Sequence, residues 1–155
     1  MKTIQKIKGF QDLISSEADT YTFIEDTART TFARYGFQEI RIPILEKTEL
    51  FARSIGDETD IVQKEMYTFP DRKGRSLTLR PEATAGVVRA YIENKLYTQD
   101  AVSKWFTCGP MFRYERPQKG RLRQFHQVNC ELFGTSAPQA DAEVILMLWT
   151  FLNEL

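Results

Sequence analysis

The sequence predicts an α+β fold, an antiparallel sheet carrying a long hairpin with helices packed against it. Three patterns point there: an amphipathic helical stretch near the start, two strand–turn–strand signals in the middle, and an apolar helical stretch at the end. The turns are short, which favours antiparallel neighbours, because parallel ones need a crossover of about a dozen residues or more.

The first helix is expected to follow Ser15 and Ser16, good N-cap residues, with Glu17 and Asp19 in the first turn where the helix dipole favours acids. Tyr21, Ile24, Ala28, Phe32 and Tyr35 recur at intervals of three and four and define its apolar face, and Gly36 ends it. From Phe37 to Leu45 the period changes to two, with Ile40, Ile42 and Ile44 on one side, and Pro43 marks an edge strand or bulge. Glu65 to Phe69 and Ser76 to Arg80 flank the turn-like Asp71-Arg72-Lys73-Gly74 and form the first hairpin. A helix over Glu82 to Asn94 follows Pro81, with Val87, Val88, Tyr91 and Ile92 inward. Strands over Lys104 to Tyr114 and Gln124 to Phe133 bracket the polar loop Glu115 to Arg123, a second hairpin with a basic tip. A last helix runs from Pro138 to Leu155 with Ala142, Ile145, Leu146, Trp149 and Leu152 on its apolar side; the chain stops inside that pattern, which suggests truncation.

The chain of 155 residues, 42% hydrophobic and 27% charged, is one domain's worth of sequence, 1–155, without repeats or an internal linker. A chain of this size hides roughly two-thirds of its unfolded surface, so disulfides are not needed to hold it. Its longest apolar run, Val144 to Trp149, is far short of the roughly 20 residues that cross a bilayer. With no secretory signal at the start and only Cys108 and Cys130, the expected compartment is the reducing cytoplasm, and no membrane partner is expected. Lys+Arg 21 balances Asp+Glu 21. Between Met111 and His126, however, Arg113, Arg116, Lys119, Arg121 and Arg123 face the single acid Glu115, while acids gather at Gly56-Asp57-Glu58-Thr59-Asp60. A focused basic loop on a neutral body suits a compact phosphate ligand better than non-specific nucleic-acid binding.

Two constellations carry candidate chemistry. In the second hairpin, strand alternation puts Arg113 and Glu115 on one face and Gln127 and Glu131 together on the return strand, with Phe125 beside them. Such groups are either solvated, with weak surface ion pairs, or answered by a polar ligand. In Arg80-Pro81-Glu82-Ala83-Thr84-Ala85-Gly86, a carboxylate and a hydroxyl two residues apart can hold an ammonium group, or can simply start a helix. Cys108, His126 and Cys130 show no metal-ligand spacing, a single histidine leaves no material for a Ser-His-Asp triad, and the one glycine in Arg116 to Arg121 makes no Walker A loop. No metal site is expected, and the thiols read as small core residues.

Residues Phe10 to Phe133 resemble the N-terminal part of the catalytic domain of histidyl-tRNA synthetases, class II aminoacyl-tRNA synthetases. The Ser16–Tyr35 helix, Gly36-Phe37-Gln38-Glu39-Ile40-Arg41 and Pro43 look like motif 1; Phe112-Arg113-Tyr114-Glu115 through Phe125 looks like motif 2. Leu79-Arg80-Pro81-Glu82-Ala83-Thr84-Ala85-Gly86 and Arg116 to Gln127 are similar to the histidine enzymes in particular. The resemblance implies a ligase that makes histidyl-adenylate from histidine and ATP with Mg2+ and transfers the acyl group to tRNA(His), as a homodimer built through motif 1. It implies Arg113 at the α-phosphate and the histidine carboxylate, as the catalytic group. It further implies Glu115 and Phe125 at adenine, Arg121 at the outer phosphates with Arg123 assisting, Glu82, Thr84 and Gln127 at the α-amino group, and Glu131 at the imidazole.

Motif 3, the histidine-specific arginine and tyrosine segment and the anticodon-binding domain are absent from this sequence, so the resemblance implies an N-terminal fragment with little activity alone. Two other readings remain open at this point: a non-catalytic regulatory paralogue binding histidine or a partner subunit, and a dimerisation module.

Overall fold

The structure, a computed structural model, describes residues 3–56, 59, 61–116 and 118–155; Asp57, Glu58 and Asp60 of the acidic stretch and Pro117 of the basic loop lie outside the described residues. The described residues form a mixed α+β fold with two three-stranded sheets. The chain divides into two compact units, each built from three separate segments.

The first unit comprises Met1–Asp12, Pro43–Gly86 and Gly109–Gln127. Its sheet is ordered β2 (Leu45–Lys47), β4 (Ser76–Leu79), β3 (Tyr67–Pro70), and both outer strands run antiparallel to β4. The hairpin is the one the sequence predicts, with Tyr67 opposite Leu79 and Pro70 opposite Ser76. Its turn is fixed by Asp71, whose carboxylate accepts the Lys73 and Arg75 backbone N–H groups at 2.8 and 2.9 Å and the Arg75 Nε at 2.6 Å. Thr78, fully buried at the sheet's centre, shares its hydroxyl with Thr68 and Thr48, each at 2.9 Å. Helix α2 (Thr48–Ile55) buries Phe51, and a single π-helical turn, Ile61–Glu65, leads into β3.

The second unit comprises Leu13–Ile42, Val87–Cys108 and Val128–Leu155. Helix α1 (Ser16–Arg34) turns Ala28 and Phe32 into an apolar core with Phe37, Phe106, Met147 and Phe151, and Ile24, Tyr35, Val128 and Leu132 pack around it. The Phe32 ring lies at the centre, 5.4 Å from Phe106, 5.6 Å from Phe151 and 6.2 Å from Phe37. Strand β1 (Gln38–Glu39) pairs in parallel with β5 (Ser103–Phe112), which lies next to β6 (Gln124–Phe133). Helix α3 (Thr84–Glu93) and helix α4 (Pro138–Glu154) complete the fold.

Several expectations are corrected. Ser15 makes no capping bond through its side chain, because at φ 52° and ψ −123° it lacks the extended backbone that aims an N-cap oxygen at the first turn. The strand expected over Phe37 to Leu45 is two short strands in different sheets, and Ile44 is exposed rather than aligned with buried Ile42; Pro43, with no N–H to donate, sits in the break. Helix α3 starts two residues later than expected and leaves Ile92 exposed. Strand β5 stops at Phe112, so simple alternation no longer applies to Arg113 and Glu115.

The largest correction is the face of α4. Ala142, Ile145, Leu146, Trp149 and Leu152 are exposed, and the buried residues are Met147 and Phe151, with Val144 packed beside them. A run of six apolar residues defines no face by itself, and polar partners choose the rotation. Glu143 takes the Lys104 ammonium at 2.7 Å, Thr150 meets the Tyr35 hydroxyl at 2.8 Å, and Glu154 binds Thr31 and Arg34. These three lie on the stripe of Met147 and Phe151, so turning the other face inward would unmake all of them.

Candidate active site

Between β4 and α3 the chain passes through Arg80-Pro81-Glu82. Arg80 is almost wholly buried, its Nε donates to the Pro110 carbonyl at 2.9 Å, and its own carbonyl accepts the Phe112 N–H at 2.9 Å. Burial pulls its pKa below the ordinary arginine value. A side chain at Gly109 would put a carbon 2.7 Å from Arg80 Nη2, so glycine there makes room for the guanidinium. Glu82 accepts the Thr84 N–H at 2.6 Å on one carboxylate oxygen and the Ala85 N–H at 3.0 Å on the other. It therefore caps α3 from outside, satisfying N–H groups that a helix start leaves without intrahelical partners. A carboxylate offers about four acceptor positions, so this leaves capacity for a further donor. Thr84 opens the helix and is exposed.

The second hairpin meets this corner through Arg113, whose Nε donates to the Pro81 carbonyl at 2.9 Å and whose guanidinium carbon stands 5.3 Å from the centre of the Phe125 ring. A planar cation is thus fixed beside an aromatic ring and next to the Glu82 turn. Glu115 lies two residues on, largely covered, with Arg121 Nη1 at 3.3 Å from its carboxylate; Arg121 itself is well exposed. An ion pair of that exposure contributes at most about 1 kcal/mol, so Arg121 is cheaply released to another anion. Arg123 has its Nε on the Glu115 carbonyl at 3.2 Å and its guanidinium 4.1 Å from the Tyr114 ring centre. Burial raises the Tyr67 hydroxyl's pKa, and the Arg123 charge works against that shift.

Gln127 and Glu131 are half-buried on β6, and their even separation gives them one strand face. Gln127 belongs to the first unit and Glu131 to the second. Glu131 accepts a hydrogen bond from Asn129 Nδ2 at 3.0 Å. Asn129 stands two residues from Glu131 on the same strand, a spacing that the sequence shows. Arg80 opens the candidate stretch that the sequence points to, whereas nothing in the sequence pattern points to Lys8-Gly9, which meets Arg123. Cys108 and Cys130 lie against the apolar core. Burial pushes the Cys108 thiol up to about 11 and raises that of Cys130, a direction that favours the thiol over the thiolate. Among the described residues no three His, Cys, Asp or Glu side chains gather as a metal site, and no helix is long and apolar enough to cross a membrane.

A family model described as histidyl-tRNA synthetase matches residues 9–155. A histidine–tRNA ligase of Oleidesulfovibrio alaskensis is 68% identical over 155 residues, which is 100% of this chain and 37% of that protein. One from Maridesulfovibrio salexigens is also 68% identical over 155 residues, 100% of this chain and 38% of that protein. The crystal structure of apo S. aureus histidyl-tRNA synthetase superposes with a TM-score of 0.80 at 38% identity, covering 96% of this chain and 34% of that one. The chain thus spans somewhat more than a third of the length of the curated relatives it matches.

Proposed function

This chain belongs to the histidyl-tRNA synthetase family, and on that premise we propose that it supplies the amino-acid activation corner of a histidine–tRNA ligase. In the first step a histidine carboxylate oxygen attacks the α-phosphorus of ATP. The bond from that phosphorus to the bridging oxygen breaks, and the electron pair leaves with pyrophosphate. In the second step a terminal ribose hydroxyl of tRNA(His) attacks the acyl carbon, losing its proton as AMP departs.

The observation that carries the reading is the placement of Arg113. Held by the Pro81 carbonyl and set against Phe125, its guanidinium is oriented in advance, which supports a role in meeting charge that develops on a phosphoryl group without reorganisation. Phe125 offers a stacking surface for adenine, Glu115 an acceptor for its amino group, and exposed Arg121 a mobile charge for the outer phosphates. Glu82 and Thr84 at the start of α3, with Gln127, take the substrate ammonium, and Glu131 accepts the imidazole N–H. Mg2+ enters with the triphosphate as part of the substrate. Dimerisation through α1 and the segment after it is part of the same proposal, and exposed Phe23 on α1 supports it; so is a cytoplasmic location, where tRNA is charged. A regulatory paralogue is not favoured, since relatives at 68% identity carry the ligase name.

The test is histidine-dependent exchange of labelled pyrophosphate into ATP by the full gene product. Exchange that requires histidine and no other amino acid is expected. Exchange driven equally by several amino acids, or none at all from a folded protein, overturns the reading.

A further inference from the structure

Arg123 ties the two ends of the loop in its own hairpin to a segment near the start of the chain, 115 residues away. Its backbone N–H donates to the Gly9 carbonyl at 2.8 Å, its carbonyl accepts the Arg113 N–H at 2.9 Å, and the next N–H, of Gln124, also reaches Gly9 at 3.2 Å. Its side chain repeats the pattern, with Nε on the Glu115 carbonyl at 3.2 Å and Nη1 on the Lys8 carbonyl at 3.4 Å. The guanidinium plane is backed by the Tyr114 ring. Gly9 has φ +89°, and a carbon added to it would stand 2.8 Å from Arg123 Cγ and 2.9 Å from Cδ. Both the backbone angle and the space demand glycine at that point. The adjoining Phe10 ring is set 6.1 Å from Tyr67 and 6.5 Å from Phe112, which anchors the segment beyond the contact.

We propose that Arg123 is a positioning residue rather than a phosphate contact, and that Lys8-Gly9-Phe10 forms with it a clamp that sets the base of the loop carrying Glu115 and Arg121. The inference rests on the nucleotide-binding reading of that loop. A fork bound to two carbonyls and stacked on a ring acts through its shape, whereas a phosphate contact acts through its charge. The two roles therefore respond differently to lysine.

Arg123→Lys, Arg123→Met and Gly9→Ala are compared in two assays. Amide hydrogen exchange of this chain, read on peptides covering 113–124 with an α1 peptide as folding control, is expected to rise about tenfold at the loop base in all three variants, the loss of roughly one net hydrogen bond, and to stay unchanged in α1. In pyrophosphate exchange by the full gene product, the KM for ATP is expected to rise about tenfold in all three, while the KM for histidine stays within about twofold. Arg123→Lys with a wild-type KM for ATP beside an impaired Arg123→Met would show a charge contact and overturn the clamp. So would Gly9→Ala with unchanged loop exchange in a folded chain. A wild-type protein that gives no pyrophosphate exchange overturns the functional reading instead, and the hydrogen-exchange arm still decides the clamp.

Discussion

The two compact units use their polar contacts differently. In the second, aromatic and aliphatic side chains close on Phe32, and the polar pairs of Glu143, Thr150 and Glu154 fix how a whole helix turns on that core. In the first, the ties meet at named atoms: the Thr48, Thr68 and Thr78 hydroxyls, Asp71 on its turn, Arg80 on Pro110, Arg113 on Pro81 and Arg123 on Glu115 and Lys8. Apolar packing is non-directional, whereas a hydrogen bond weakens steeply when its angle is lost. In the first unit the directional ties orient individual side chains such as Arg113 and Arg123.

That contrast can be broken by substitutions, the largest effect first. Phe32→Ala removes the ring at the centre of the apolar core and should lower stability to denaturant by about 3–5 kcal/mol. Measured by urea unfolding of this chain, a loss under about 1 kcal/mol would mean that the core is not organised around Phe32. Arg113→Gln should leave the unfolding midpoint close to wild type while costing about 2.7–4 kcal/mol in transition-state stabilisation, the range for one lost donor at a developing charge. Pyrophosphate exchange by the full gene product checks it, and near wild-type rates would remove Arg113 from the chemistry.

Glu131→Leu should raise the KM for histidine by an amount corresponding to about 1–3 kcal/mol, since it leaves a donor unpaired in a partly dry site; Glu131→Gln, which keeps an acceptor, should cost less. An unchanged KM in both variants, with circular dichroism as the folding control, would make Glu131 a strand carboxylate with a structural role, such as its bond to Asn129. The smallest effect concerns Asp71, whose carboxyl is held below the usual value by the Arg75 backbone N–H and guanidinium. A depressed native pKa gives stability that is present above the unfolded value, about 3.9, and lost as pH falls through the native one. Asp71→Asn should lower the unfolding midpoint slightly at pH 7, where the charged form contributes, and the two proteins should converge as pH falls below about 4. An acid limb identical in the two proteins would show that the turn does not feel the charge.

What could be read from the sequence follows the same division. The α1 face was legible because Ile24, Ala28 and Phe32 keep a helical period and contrast with polar neighbours. The first hairpin and the limits of β6 were legible because strand residues stop at turn-forming ones. The α4 face was not, because a run of six apolar residues covers every side of a helix and leaves the choice to Lys104, Tyr35 and Arg34, which are distant in sequence. The ties of Arg113 and Arg123 were hidden for a related reason: their acceptors are backbone carbonyls, and every residue type has one. Motif resemblance located these arginines without showing what holds them.

The parallel pairing of β1 with β5 governs the order in which the chain can assemble. Gln38 meets Trp105 and Glu39 meets Phe106 across a long stretch of chain, and the Lys104 ammonium bonds the Tyr35 carbonyl from 69 residues away. The Thr68 and Thr78 hydroxyls meet over only 10 residues. Closing the longer loop costs entropy before any contact rewards it, whereas hairpins form in about 1–10 μs. During synthesis the β3–β4 hairpin can therefore form once Leu79 has emerged, while Gln38 and Glu39 wait for β5, with their strand edge open to a wrong partner until it arrives.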